Sequence, residues 1–160
     1  MLFNTLEFTF IFFPFVMTLG ILIKKYLKVN FLLFFLIVCS LYFYSSFYPI
    51  YLFLISGSIL LNFMSARLLL KLENLFIKHA FFLFIVFCNL MILVYYKYFN
   101  FLIDNLNFFL QKEISQHDII LPLAISFFTF QQIAFITSIY KGEIKNFKFI
   151  KYFLFVSFFP

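Results

Sequence analysis

The stretch "LPLAISFFTFQQIAFITSIYKGE", residues 121–143, places Ser126, Thr129 and Gln132 three residues apart in an otherwise apolar run, with Gln131 off their face. Three-residue spacing brings side chains to one side of a helix. In hydrocarbon an amide or hydroxyl without a partner costs several kcal/mol, so this row must meet polar groups. Two uses fit. The row either ties its helix to a neighbour by interhelical hydrogen bonds, worth about 1 kcal/mol per contact, or it lines a polar tunnel. Tying is the commoner use of such residues and is the reading adopted.

Proton-transfer chemistry would need a positioned imidazole. His79 follows Lys78 where an apolar run begins, and His117 sits in a polar connection. Neither lies at mid-membrane and His79 has no carboxylate at helical spacing, so both read as interfacial side chains and no catalytic residue is assigned. The glycines are Gly20, Gly57 and Gly142, and no phosphate-cradling loop is spelled. Cys39 and Cys88 lie inside apolar runs, with no second Cys or His at ligand spacing. They read as small hydrophobes, with no disulfide or metal site expected.

The elements that must position these residues follow from composition. Of 160 residues, 66% are hydrophobic and 11% charged, against roughly half and a quarter in soluble domains. That leaves too little polar surface to face water, so the expected solvent is a lipid bilayer. The expected fold class is all-α: a polytopic membrane protein, read as one transmembrane unit over residues 1–160. Runs long enough to span, or nearly so, cover 6–23, 29–45, 49–66, 79–96, 119–140 and 147–160. The last is short and reads as a truncated sixth span after five complete ones. The first carries Glu7 where a signal peptide would be basic, so it reads as a span that is retained.

The net charge of +6 points to no nucleic acid, because its sources sit in short connections. Lys24, Lys25 and Lys28 fill the first connection; Arg67, Lys71 and Lys78 the third; Lys141, Lys145, Lys148 and Lys151 the fifth. The intervening connections are neutral or acidic. By the positive-inside rule the basic connections are cytoplasmic and the N-terminus is outside. Pro14 falls within the first span, where it removes a donor and should kink the helix. Pro49 closes the turn "YSSFYP" between the second and third spans, with Tyr42, Tyr44 and Tyr48 as an interfacial belt. Residues 98–111 set Phe99, Leu102, Ile103, Leu106, Phe109 and Leu110 on one face and Asn100, Asp104, Asn105, Asn107 and Gln111 on the other. That pattern predicts a separate amphipathic helix lying in the outer interface. Ser115 and Asp118 are candidate N-caps for the fifth span, with Pro122 early in its helix.

Taken in order, four stretches resemble the membrane-bound O-acyltransferases (MBOAT), in the branch of the alginate O-acetyltransferases. They are "MLFNTLEFTFIFFPFV", "NFLLFFLIVCSLYFYSSFYPIYLFLISGSILLNF", "YYKYFNFLIDNLN" and the 121–143 stretch. The last is the most specific, with Pro122, Ser126, Thr129, Phe130, Tyr140 and Gly142 in the register of the family's pattern. Ser138 departs from it, since relatives usually carry an aspartate there, and Lys141 stands for the usual arginine. The resemblance covers the whole chain and corresponds to the family's N-terminal part.

What the resemblance implies is acetyl transfer from a cytoplasmic thioester such as acetyl-CoA to a hydroxyl of a cell-envelope polysaccharide, alginate or peptidoglycan. No tightly bound cofactor is implied. A partner acetyltransferase outside the cytoplasm passes the group on in alginate-type systems. The location implied is the bacterial inner membrane. The family's general base is a histidine on a later helix, to which neither His79 nor His117 corresponds. These 160 residues are therefore expected to be inactive alone. The alternatives are a small transporter subunit or a non-enzymatic membrane scaffold. The absence of acidic residues deep in the spans speaks against the transporter.

Overall fold

The computed structural model describes residues 5–46, 48–110 and 120–158. Ser115, His117, Asp118 and Gln111 lie outside the described residues, as do Phe47 of the "YSSFYP" turn and the last two residues of the sixth expected span. Every regular element among the described residues is a helix: a π-helical turn Phe8–Phe12, then α1 (Phe13–Tyr26), α2 (Val29–Ser45), α3 (Ile50–Lys71), α4 (Leu75–Leu110), α5 (Ile125–Tyr140) and α6 (Phe149–Ser157). The π turn with α1, and likewise α3 and α4, are long and apolar enough to cross a membrane; α2 and α5 are shorter apolar helices. The chain is a polytopic helical membrane protein.

The chain divides into two compact units, Met1–Met64 with Ile144–Pro160, and Ser65–Glu143. In the first unit α1 and α2 form a hairpin. Phe8 packs edge-on to Phe43 at 5.2 Å, and Phe12 stacks on Tyr42 at 6.0 Å, so the start of the first span meets the end of the second. Pro14 acts as the sequence suggests, through a change of helix type. The turn before it widens to π geometry, with the Phe13 amide donating to the Phe8 carbonyl five residues back. Thr18 Oγ1 donates to the Pro14 carbonyl at 2.8 Å. After α2, Ser45 and Ser46 both donate to the Tyr42 carbonyl, and the amide of Leu52 donates to that of Pro49. Helix α6 packs on α2. Phe63 meets Phe147 and Phe149 edge-on and stacks on Tyr152.

In the second unit α4 packs on α5. Helix α4 starts at an unforeseen cap: Asn74 Oδ1 accepts from the amides of Phe76 and Ile77. It then runs unbroken for 36 residues, about 54 Å at 1.5 Å per residue. The separate interfacial helix expected over 98–111 is thus corrected: its backbone is the continuation of α4. No glycine or proline interrupts 75–110. Asn105 Nδ2 donates to the Phe101 carbonyl at 2.7 Å, so a polar face does not end the helix.

The start of the fifth span is corrected as well. Residues 120–124 are not helical, and Pro122 lies in a turn before α5, its carbonyl accepting from the Ile125 amide at 3.3 Å. Ala124, with φ 55°, takes a left-handed conformation that an L-residue enters at a cost of about 1–2 kcal/mol. The end of α5 is the better formed. The amide of Gly142 donates to the Ile139 carbonyl and that of Glu143 to the Ser138 carbonyl, the paired bonds of a Schellman cap. Gly142 has φ 80°, which is why the "YKGE" sequence needs its glycine.

Candidate functional site: the polar row of α4 and α5

Helices α4 and α5 run antiparallel, because the start of α4 meets the end of α5 and the later part of α4 meets its beginning. At one end His79 Nδ1 and Tyr140 Oη lie 3.0 Å apart in a hydrogen bond. The Phe82 ring stacks on Tyr140 at 4.4 Å. At the other end Lys97 Nζ donates to Ser126 Oγ at 3.5 Å, a long contact, and lies 5.4 Å from the centroid of Tyr98. Ser126 and Tyr140 are fourteen residues apart, so the two contacts stand about 21 Å from each other along α5.

Between them lie the other members of the row. Thr129 is 2% exposed and Gln132 fully buried, near the middle of α5. Ser126 is half-buried. Phe128, Ile136 and Ile139, almost entirely buried, fill the same side of the helix. The row is therefore half-exposed at Ser126 and sealed at Thr129 and Gln132. Gln131 Oε1 is buried with no hydrogen-bond partner among the described residues. Elsewhere the spans treat polar groups differently. Asn62 Nδ2 donates to the Ser58 carbonyl, Asn89 Nδ2 to Ile85 and Thr137 Oγ1 to Ile133, each four residues back. Such bonds to the chain's own backbone satisfy part of each side chain's hydrogen-bonding capacity within its own helix.

The row can donate and accept hydrogen bonds inside the second unit and can orient a polar group there. The His79–Tyr140 pair adds a proton donor and acceptor at one end, with His79 exposed. Sequence reading treated His79 only as an interfacial residue and missed its partner. The signal was present: if α4 starts and α5 ends on one side of the bilayer, His79 and Tyr140 share a level. The same logic pairs Lys97 with Ser126. Among the described residues no three His, Cys, Asp or Glu side chains gather as metal ligands would, and Cys39 and Cys88 are free thiols.

Fold and row together define a helical membrane protein with buried polar side chains on several of its helices, Thr129 and Gln132 of α5 and Asn89 of α4 among them. Comparison with known proteins narrows that class. The chain is 36% identical over 143 residues to the peptidoglycan O-acetyltransferase of Helicobacter pylori, a match covering 88% of this chain and 27% of the relative. It is 42% identical over 60 residues to the probable alginate O-acetylase AlgI of Pseudomonas aeruginosa, covering 34% of this chain and 11% of that one. The chain is therefore similar to MBOAT-like O-acetyltransferases, and it spans about a quarter of the length of the first of these relatives. No family model matches the chain, and no solved structure matches it.

Proposed function

We propose that the chain forms part of a membrane O-acetyltransferase that modifies hydroxyls of a cell-envelope polysaccharide, peptidoglycan or an alginate-like glycan. The observation that carries this is the 36% identity over 88% of the chain to a peptidoglycan O-acetyltransferase. In the reaction the acceptor oxygen attacks the acetyl carbonyl of a thioester such as acetyl-CoA. The C–O bond forms, the C–S bond breaks, a general base takes the hydroxyl proton and the thiolate leaves. These 160 residues supply helices that frame the path between donor and acceptor, while the general base belongs to a part of the protein outside them. That division rests on the resemblance, in which the general base is a histidine on a later helix; His79 itself bonds to Tyr140. Thr129 and Gln132 serve packing within the pair, and Ser126 meets Lys97 at its half-exposed end.

The protein sits in the bacterial inner membrane with its N-terminus outside, a reading supported by the alternation of basic and non-basic connections. An acetyltransferase outside the cytoplasm is its partner where the acceptor is a polysaccharide of the alginate kind. Deleting the coding region should remove alkali-labile, ester-linked acetate from one envelope glycan, measured by mass spectrometry of purified sugar fragments. Unchanged acetate on every glycan of the envelope would refute the reading. The isolated 160 residues in liposomes should transfer no acetyl above background.

A further inference from the structure

The α1/α2 hairpin carries a groove of about 290 Å³ that the acetyl-transfer reading does not use. A stripe on α1 forms one wall: Phe13, Val16, Met17, Gly20, Ile21 and Lys24, the spacing of one helix face. Leu32 and Leu36 of α2 face it. Gly20 keeps the middle open, since a Cβ there would meet only Leu32 Cδ1, at 3.8 Å. Lys24 is the one charged residue among the described residues lining the groove. It sits in the last turn of α1 beside Lys25, and Lys28 follows in the connection. From Phe13 to Lys24 the helix rises about 17 Å, close to half of the roughly 30 Å hydrocarbon core. The groove is thus one leaflet deep, apolar along its length and cationic at its mouth.

We propose that this groove holds one acyl chain of an anionic phospholipid, with the headgroup phosphate on Lys24, Lys25 and Lys28. The match is one of charge and depth. Three lysines at the membrane surface favour a net-anionic headgroup over a zwitterionic one, whose own cation offsets its phosphate. The apolar stripe gives the chain a fixed wall to lie against.

The test is native mass spectrometry of the full-length protein released from nanodiscs holding equal phosphatidylglycerol and phosphatidylcholine. Phosphatidylglycerol should be retained preferentially. Lys24→Ala should lower that preference by about fivefold. Gly20→Phe, which fills the groove, should reduce retention of both lipids; Gly20→Ala should not. Because Gly20→Phe can disturb folding, a photoreactive residue at Met17 provides a second reading and should cross-link lipid. Equal retention of the two lipids by the unaltered protein would overturn the proposal. So would displacement by inorganic phosphate alone, which would mean a headgroup site without a chain. Cross-linking from Met17 to a second copy or to another protein segment, with no lipid adduct, would overturn it too.

Discussion

Helices α1 and α5 have similar composition and opposite surroundings. None of the fourteen residues of α1 is buried, whereas seven of the sixteen in α5 are. Thr18 of α1 bonds back to its own helix. In α5, Ser126 and Tyr140 bond across to α4, while Thr129 and Gln132 are sealed from solvent. An apolar sequence alone therefore does not separate a helix left exposed in its unit from one that packs closely on a neighbour. The spacing of its few polar residues does. In lipid no hydrophobic force favours burying α5 over α1, so packing and hydrogen bonds must provide the difference.

The contrast can be broken most sharply at neighbouring phenylalanines. Phe128 is 2% exposed and Phe127 52% exposed. Phe128→Ala should cost about 3 kcal/mol through the cavity it leaves, and Phe127→Ala less than about 0.5 kcal/mol. Unfolding of the two variants in mixed micelles with a denaturing detergent measures both. Equal losses would mean that α5 is not packed as described.

A smaller effect is expected at the two left-handed residues that bracket α5. Gly142→Ala should destabilise by about 1–2 kcal/mol. Nothing lies within 4 Å of the added Cβ, so that cost is conformational. Ala124→Gly should have the opposite sign, stabilising by up to about 1 kcal/mol as the strain is relieved. Thermal melts in nanodiscs would show the two shifts.

The end contacts sharpen the comparison further. Tyr140→Phe should cost about 1 kcal/mol for the lost hydrogen bond to His79. In a double-mutant cycle with His79→Phe the two changes should be non-additive. Lys97→Met should change stability by less than about 0.5 kcal/mol, because its contact with Ser126 is long and exposed. Topology is checked on the same footing. In a cysteine-free background, Ser46→Cys should react with an impermeant thiol reagent on intact cells, and Lys71→Cys should not.

The existence and order of the helices were legible because each apolar run is bounded by lysines or by a turn sequence. Pro14 was also legible as a disturbance, though its form, a π-helical turn, was not. What stayed hidden has particular causes. Residues 98–111 change from apolar to amphipathic, but nothing breaks the backbone, so hydropathy marks a boundary that the helix ignores. Pro122 is compatible with either a first helical turn or a preceding loop, and the left-handed Ala124 decides for the loop. The row Ser126, Thr129 and Gln132 was legible as a face, whereas its depth was not, because spacing does not reveal what packs opposite. His79 and Tyr140 are sixty-one residues apart, and only the antiparallel pairing of their helices joins them.

The central claim is that these residues form part of a membrane O-acetyltransferase. The most direct measurement replaces the matching 143 residues of the Helicobacter pylori peptidoglycan O-acetyltransferase with those of this chain. The chimera is expressed in cells lacking that enzyme, and ester-linked acetate is measured on their peptidoglycan. Restored acetylation, well above that of a vector control, is the predicted result. A chimera that inserts in the membrane at normal abundance yet restores no acetate would contradict the account.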